Sequence, residues 1–310
     1  MDLIGGRYRL LEAAGVGGMA VVWRAHDEVL DRMVAVKLLT DDQCADPREI
    51  ERARTEARYG ARLAHPNVAA VYDFGTSRRG GRGAAYVVME LLDGRLLSDH
   101  LDRSPLNWRF AARVCAELSA GLAAAHSQGI VHRDIKPANV VLTESGAKLL
   151  DFGIAARVGE VDQLADGTVL GTSGYLAPER FGPDPLAPSV DMYGLGVLLY
   201  RTLTARLPWH AYTDEELLRA HLYSAPLPLP RIDGLAPQVA DICFQCLDKD
   251  PARRPTAVAA ALLLAACVDA QVYVPSPLKR PVPLPRPAPA RDADTVAARI
   301  QFTEPMSAYK

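Results

Sequence analysis

The chain has too few cysteines for a disulfide framework, no excess of either charge, and no apolar run long enough to cross a bilayer. Its five cysteines, an odd number at scattered positions, suit a reducing cytosol. Cys243 and Cys246 form a Cys-x-x-Cys, but no second pair or His cluster accompanies them. They fall in a helical pattern with Val239, Ile242 and Leu247, which favours core packing over metal or redox work. Lys and Arg total 35 against 37 Asp and Glu, a net charge of −2. There is thus no basic field for nucleic acid or an anionic membrane. The most apolar stretch, Ala257 to Val268, is shorter than the ~20 residues a spanning helix needs and reads as a buried closing helix. Met1-Asp2-Leu3-Ile4 places no basic segment before an apolar run. The expectation is a cytoplasmic protein with no secretory signal and no membrane span.

What is present is a globular chain of 310 residues, 49% hydrophobic, enough for one large or two moderate domains with a sizeable core. Residues 8 to 40 alternate and turn as three antiparallel strands: Tyr8 to Leu11, Ala20 to Ala25 and Met33 to Leu39. Pro47 to Leu63 follows as a helix, with Ile50, Ala53, Ala57, Gly60 and Ala64 at spacings of three and four. Val68 to Phe74 and Ala84 to Glu90 supply two more strands. Helices then dominate: Trp108 to Gln128, Val190 to Thr204, Asp214 to Ser224, Pro237 to Leu247 and Thr256 to Cys267. The class is α+β. The change of pattern at Leu92-Asp93-Gly94 divides a β-rich domain, 1–92, from a helical one, 93–270, and predicts a ligand cleft at that boundary. Residues 271–310 interleave prolines with Lys279, Arg280, Arg286 and Arg291. Such text favours an extended, solvated tail, either a passive linker or a docking segment.

The run His132-Arg133-Asp134-Ile135-Lys136-Pro137-Ala138-Asn139, with Asp151-Phe152-Gly153 further on, supplies what phosphoryl transfer requires. A hydroxyl nucleophile needs a carboxylate to orient it and take its proton, and Asp134 fits that role. Oxygen ligands must hold Mg²⁺ against the triphosphate, and Asp151 with Asn139 fit the second. Gly15, Gly17 and Gly18 lie in a turn between the first two strands. Such a turn either lets backbone approach phosphate or is an ordinary hairpin. Lys37 ends the apolar Val34-Ala35-Val36 and needs a carboxylate to orient it. Glu56 is the candidate from the helix face carrying Ala53 and Gly60, ahead of Glu49 and Glu51. A surface pair between Arg52 and Glu56 is the alternative.

Together these segments resemble the ordered motif set of eukaryotic-like protein kinases, and in particular the bacterial Hanks-type serine/threonine kinases, over about Tyr8 to Cys267. The resemblance implies a bilobal kinase fold, with a small β-rich N-lobe holding one main helix and a larger helical C-lobe. It implies ATP as cofactor with Mg²⁺, or Mn²⁺ in its place. Lys37 would reach the α- and β-phosphates and Lys136 would neutralise the γ-phosphate. Gly15, Gly17 and Gly18 would cover the phosphates, although Ala20 stands where the pattern expects a third glycine. Val22 and Ala35 would cover adenine from above and Val141 from below. Glu90 C=O and the Leu92 backbone would meet its edge, with Met89 as gatekeeper. His132 and Phe152 would be apolar supports, Asp191 would brace the catalytic loop, and Glu179 would pair with Arg254. Residues 171–179 resemble the substrate-docking end of the activation segment, Thr172 bonding Asp134 and Lys136. The substrates implied are Ser and Thr hydroxyls of proteins, this one included, with self-association for autophosphorylation. Thr168 would carry an activating phosphate beside Arg133, unless Asp162 or Asp166 substitutes. A nucleotide-binding pseudokinase scaffold and a small-molecule phosphotransferase are the competing readings.

Overall fold

Alternating strands and a capped helix build the first part of the chain. In the computed structural model, which describes residues 3–16, 20–40, 44, 46–79, 82–150, 156–160, 173–182 and 184–275, the backbone divides into two compact units. One is Met1–Gly94 with Leu150–Gly153, and the other is Arg95–Leu149 with Ile154–Lys310. The first unit thus ends at Gly94 and is rejoined at Leu150.

The first unit holds a six-stranded antiparallel sheet formed by β1 (Leu3–Ile4), β2 (Tyr8–Val16), β3 (Ala20–Asp27), β4 (Arg32–Leu39), β5 (Val71–Arg79) and β6 (Arg82–Met89) in the order β1-β2-β3-β4-β6-β5. Tyr8, Leu10, Ala25, Val34, Val36, Leu38, Tyr86 and Val88 form one buried cluster on it. The other face receives α1 (Pro47–Gly60), whose Ala53 and Ala57 pack on Val87 with Leu39, Val71, Phe74 and Met89 around them. Asp46 caps α1 by accepting the Arg48 N–H, and Pro47 opens its first turn where no donor is needed. A Cβ on Gly60 would lie 2.5 Å from Val71 Cγ2, so glycine is required for α1 to approach β5 so closely. The helix stops there rather than running to Leu63. Strand β5 begins at Val71 rather than Val68, because the Val68 N–H is spent on a turn to His65 O. It then continues through polar Thr76–Arg79 because β6 pairs with it.

In the second unit β7 (Gly94–Leu96), β9 (Val140–Thr143) and β10 (Gly146–Leu149) form a small sheet, and β8 (Ile130–Val131) pairs with β11 (Ala156–Arg157). Around them lie α2 (Leu97–Leu101), α3 (Trp108–Ser127), α4 (Ser189–Thr204), α5 (Asp214–Tyr223), α6 (Pro237–Cys246) and α7 (Ala257–Ala266). Helix α4 is buried on nearly every face and forms the axis of the unit. A Cβ on Gly196 would sit 2.7 Å from Cys246 Cβ, so α4 and α6 cross in contact. Cys243 and Cys246 are both fully buried, and burial pushes both thiols up, Cys246 to about 12. They are packing residues. No helix among the described residues is long and apolar enough to cross a membrane. Residues 276–310 of the Pro-rich segment lie outside the described residues.

Candidate active site

On β4, Lys37 lies directly opposite Val22 of β3 and Val87 of β6, and Ala35 lies opposite Met89. Directly paired residues, and residues two apart on one strand, share a face. Val22, Ala35, Lys37 and Met89 therefore line one side of the sheet, the side on which α1 packs. Lys37 Nζ donates to Glu56 Oε1 at 3.0 Å, with the two side chains 17% and 9% exposed. The competing acids of α1 are engaged by their own helix, Glu49 by Arg52 at 2.6 Å and Glu51 by Arg54 at 3.2 Å. Glu90 is anchored by its own N–H to Ala70 O at 2.8 Å and by its carboxylate to the Ala70 N–H at 3.2 Å. Leu92 follows it, half-buried. A Cβ on Gly15 would meet no atom of the described residues within 4 Å. Gly17 and Gly18 lie outside the described residues.

In the second unit, β8 runs into the loop of residues 132–139, and a short 3₁₀ turn, Pro137–Asn139, leads into β9. Asp134 is the centre of this loop. Lys136 Nζ lies 3.1 Å from Asp134 Oδ2, and Asn139 Nδ2 donates to Asp134 O at 2.8 Å and to Oδ2 at 2.9 Å. Lys136 is 6% exposed, so its charge is largely removed from water and the Asp134 carboxylate is its compensating partner. Val141 is buried on β9, opposite Lys148. Asp151, Phe152, Asp162, Asp166, Thr168 and Thr172 lie outside the described residues.

The loop is held from beneath by groups that the sequence pattern only partly identifies. Asp191, at the start of α4, accepts the backbone N–H groups of His132 and Arg133 at 2.9 and 2.7 Å. Its carboxylate is also 2.7 Å from His126 Nε2. Burial pushes this carboxyl upward, but the hydrogen bond and charge of His126 outweigh it and leave the group below the usual range. The Arg180 guanidinium donates to Arg133 O at 2.9 Å. His132 does more than fill space: fully buried, its Nδ1 accepts the Asp134 N–H at 3.2 Å. Nothing in the spacing of His126 or Arg180 announces these contacts, since each partner is more than forty residues away.

The turn Ser173–Tyr175 packs beside this loop: a Cβ on Gly194 of α4 would meet Ile135 Cβ at 3.1 Å and Tyr175 O at 3.7 Å. Ser173 Oγ donates to Asp214 Oδ1 at 3.2 Å, and Arg201 donates to the Tyr175 hydroxyl at 2.8 Å. Beyond the turn, Arg254 grips Glu179 with two bonds of 2.6 and 2.8 Å.

Residues 8–263 match the protein kinase domain. The chain belongs to the protein kinase family. Its α+β architecture in two units is the protein kinase fold. Serine/threonine-protein kinase PknA of Mycobacterium tuberculosis is 40% identical to this kinase over 254 residues, 81% of this chain and 58% of the relative. Serine/threonine-protein kinase pkn2 of Myxococcus xanthus is 38% identical over 267 residues, covering 82% of this chain and 31% of its own. PrkC of Bacillus subtilis is 35% identical over 254 residues, 81% of this chain and 39% of that protein. The kinase is thus similar to bacterial serine/threonine kinases, and it spans little more than half the length of the first of them.

Proposed function

We propose that this kinase transfers the γ-phosphate of MgATP to Ser and Thr hydroxyls of proteins, itself among them. The observation that carries the reading is the grouping of Lys136 Nζ and Asn139 Nδ2 around the Asp134 carboxylate, at 3.1 and 2.9 Å. Asp134 orients the acceptor hydroxyl and takes its proton. Lys136 offsets the negative charge of the group in transit. Because the Asn139 nitrogen is spent on Asp134, its Oδ1 is the pole left for a hard cation, and Asp151 supplies the second ligand oxygen. This donor set fits Mg²⁺, and Mn²⁺ fits it as well. The metal, when bound, neutralises charge on the β- and γ-phosphates.

Lys37, held by Glu56, takes the α- and β-phosphates, and Gly15, Gly17 and Gly18 cover them. The open space at Gly15 supports this, since none of the described residues crowds the missing side chain. Val22, Ala35 and Val141 are the apolar contacts of adenine, Glu90 and Leu92 meet its edge through the backbone, and Met89 is the gatekeeper. The turn Ser173–Tyr175 and the residues up to Glu179 receive the acceptor peptide. A Ser/Thr preference is supported by Lys136, two residues after Asp134, and by the names of the relatives. Five unpaired cysteines support a cytoplasmic setting. The Pro-rich segment 271–310 is dispensable for the chemistry, and autophosphorylation between two copies requires transient self-association.

The test is incubation with MgATP followed by mass-spectrometric mapping of phosphosites on the enzyme and on a lysate of its host. Phosphoserine and phosphothreonine are expected on both. ATP binding without transfer, with Mg²⁺ and with Mn²⁺, would instead make it a nucleotide-binding scaffold.

A further inference from the structure

Helix α7, Ala257–Ala266, carries its larger side chains outward. The residues it buries are Ala257, Ala260, Ala261, Leu264 and Ala265, four of them alanine. Val258, Leu262 and Leu263 face the other way, 37, 50 and 49% exposed. Residues 258, 262 and 266 recur every four and 259 and 263 lie beside them, so the outward side chains form one stripe. The helix contains no charged residue. A surface helix ordinarily turns its leucines to the core and its charges to water, and a helix apolar on every side is ordinarily buried on every side. The stripe is a face built to be covered.

Its size narrows the cover. Ten residues make a helix about 15 Å long, and a stripe of that length falls far short of the ~800 Å² per partner that a stable complex of separate proteins needs. A segment tethered to the same chain escapes that requirement, because its effective concentration at the face is on the order of millimolar. The chain continues from the end of α7. Prolines recur from Pro275 to Pro289, and none follows until Pro305. The proline-free stretch between them carries Ala293, Val296, Ala297 and Ile300 at spacings of three and four, preceded by Asp292 and Asp294, which suit a helix N-terminus. Arg299 and Asp294 fall off that apolar face. Residues 276–290, as extended proline-rich backbone at ~3.1 Å per residue, would span roughly 45 Å, about three times the length of α7. Reach is therefore not limiting.

We propose that residues 292–303 return to α7 as a short amphipathic helix and set Val296 and Ile300 against Leu262 and Leu263. The uncharged stripe selects this occupant, since it offers an apolar face nothing but apolar area, and Val296 and Ile300 are the large apolar residues of the matching face. Docking stabilises the second unit and closes the proline-rich stretch into a loop tied at both ends.

The test uses the full chain. In the wild type, backbone amides of residues 293–301 should exchange with solvent ~10-fold or more slowly than in Ile300→Asp, whose charge cannot sit on an apolar face. Ile300→Asp and Leu262→Asp should each melt ~3–8 °C below wild type. The double variant should melt no lower than the worse of the two, because both remove one contact. A photo-reactive phenylalanine analogue placed at position 262 should cross-link within one molecule, to a peptide from 292–303. Wild-type amides at 293–301 that exchange as fast as an unstructured peptide would overturn the proposal, as would additive losses in the double variant. Cross-links to another segment or to a second copy, or none, would give the stripe to a different occupant and overturn it equally.

Discussion

Asp191 Oδ1 accepts the backbone N–H of Arg133 at 2.7 Å, and Arg133 is held at φ +71°. A bulky side chain in the left-handed region costs roughly 1–2 kcal/mol, so the conformation persists only because its surroundings impose it. Asp191 takes the amide, Arg180 takes the carbonyl at 2.9 Å, and the adjacent His132 amide is tied to the second Asp191 oxygen. The strained residue stands immediately before Asp134, so the bonds that hold it also fix the backbone from which that carboxylate projects.

Asp191→Asn keeps the shape but supplies one acceptor oxygen where three donors converge. It should lower stability by ~2–4 kcal/mol and reduce kcat with little change in KM for ATP. Denaturant melts and steady-state kinetics would check this, and wild-type values for both would show that Arg133 holds its conformation unaided.

Glu179 and Arg254 form the second fixed point, with Arg254 fully enclosed and Glu179 12% exposed. Breaking one side of a buried pair typically costs ~3–5 kcal/mol because the survivor stays buried and uncompensated. Arg254→Ala should therefore melt well below wild type. Arg254→Lys should recover little, since the two parallel bonds, and those to Asp248 O and Ser189 O, need the guanidinium fork. Thermal unfolding of the two variants side by side tests the difference.

Asp134→Asn and Asp151→Asn should lose roughly 100-fold or more of phosphotransfer while retaining a cooperative melt, because the proposed general-base and metal-ligand roles act on the reaction rather than on the core. Lys37→Met should fall in activity likewise. It also leaves Glu56, 8% exposed, without its cation, so a modest loss of stability is expected with it. Wild-type turnover in any purified variant would take that residue out of the chemistry.

Acid should weaken the fold as the pH falls below 6.5. The His221 pKa, lowered to about 3 from 6.5 by burial and then by Lys249, lies below its unfolded value. The unfolded chain therefore binds a proton between those limits that the folded chain refuses. Stability from this group is complete above pH 6.5 and declines below it at up to about 1.4 kcal/mol per pH unit. Lys249, lowered to about 8 chiefly by burial, titrates outside this window. Urea melts from pH 7.5 to 5 should show the slope, and His221→Phe should flatten it.

Local rules account for what was legible in the chain. A helix from Pro47 followed from the recurrence of Ile50, Ala53, Ala57 and Gly60 at spacings of three and four, and the first three strands from alternation and turns. Glu56 emerged as the partner of Lys37 because it shares that face, while Glu49 and Glu51 sit within reach of Arg52 and Arg54. Strand β5 was misplaced because its outer half is polar and gains its hydrogen bonds from β6, a neighbour that local pattern cannot supply. The candidate roles of the 132–139 motif and Asp151 likewise came from residue type and order.

By itself, then, the sequence determined the family, the class of fold and which side chains are candidates for phosphoryl transfer, since these depend on periodicity and an ordered set of side chains. Only the tertiary structure decided how those groups are held: Asp191 between His126 and two loop amides, Arg180 on Arg133 O, and His221 clamped by Tyr193, Trp209 and Lys249. These contacts join residues remote along the chain. Their strength comes from burial, which no local pattern encodes, because a polar group withdrawn from water must find its partner wherever the packed fold brings one.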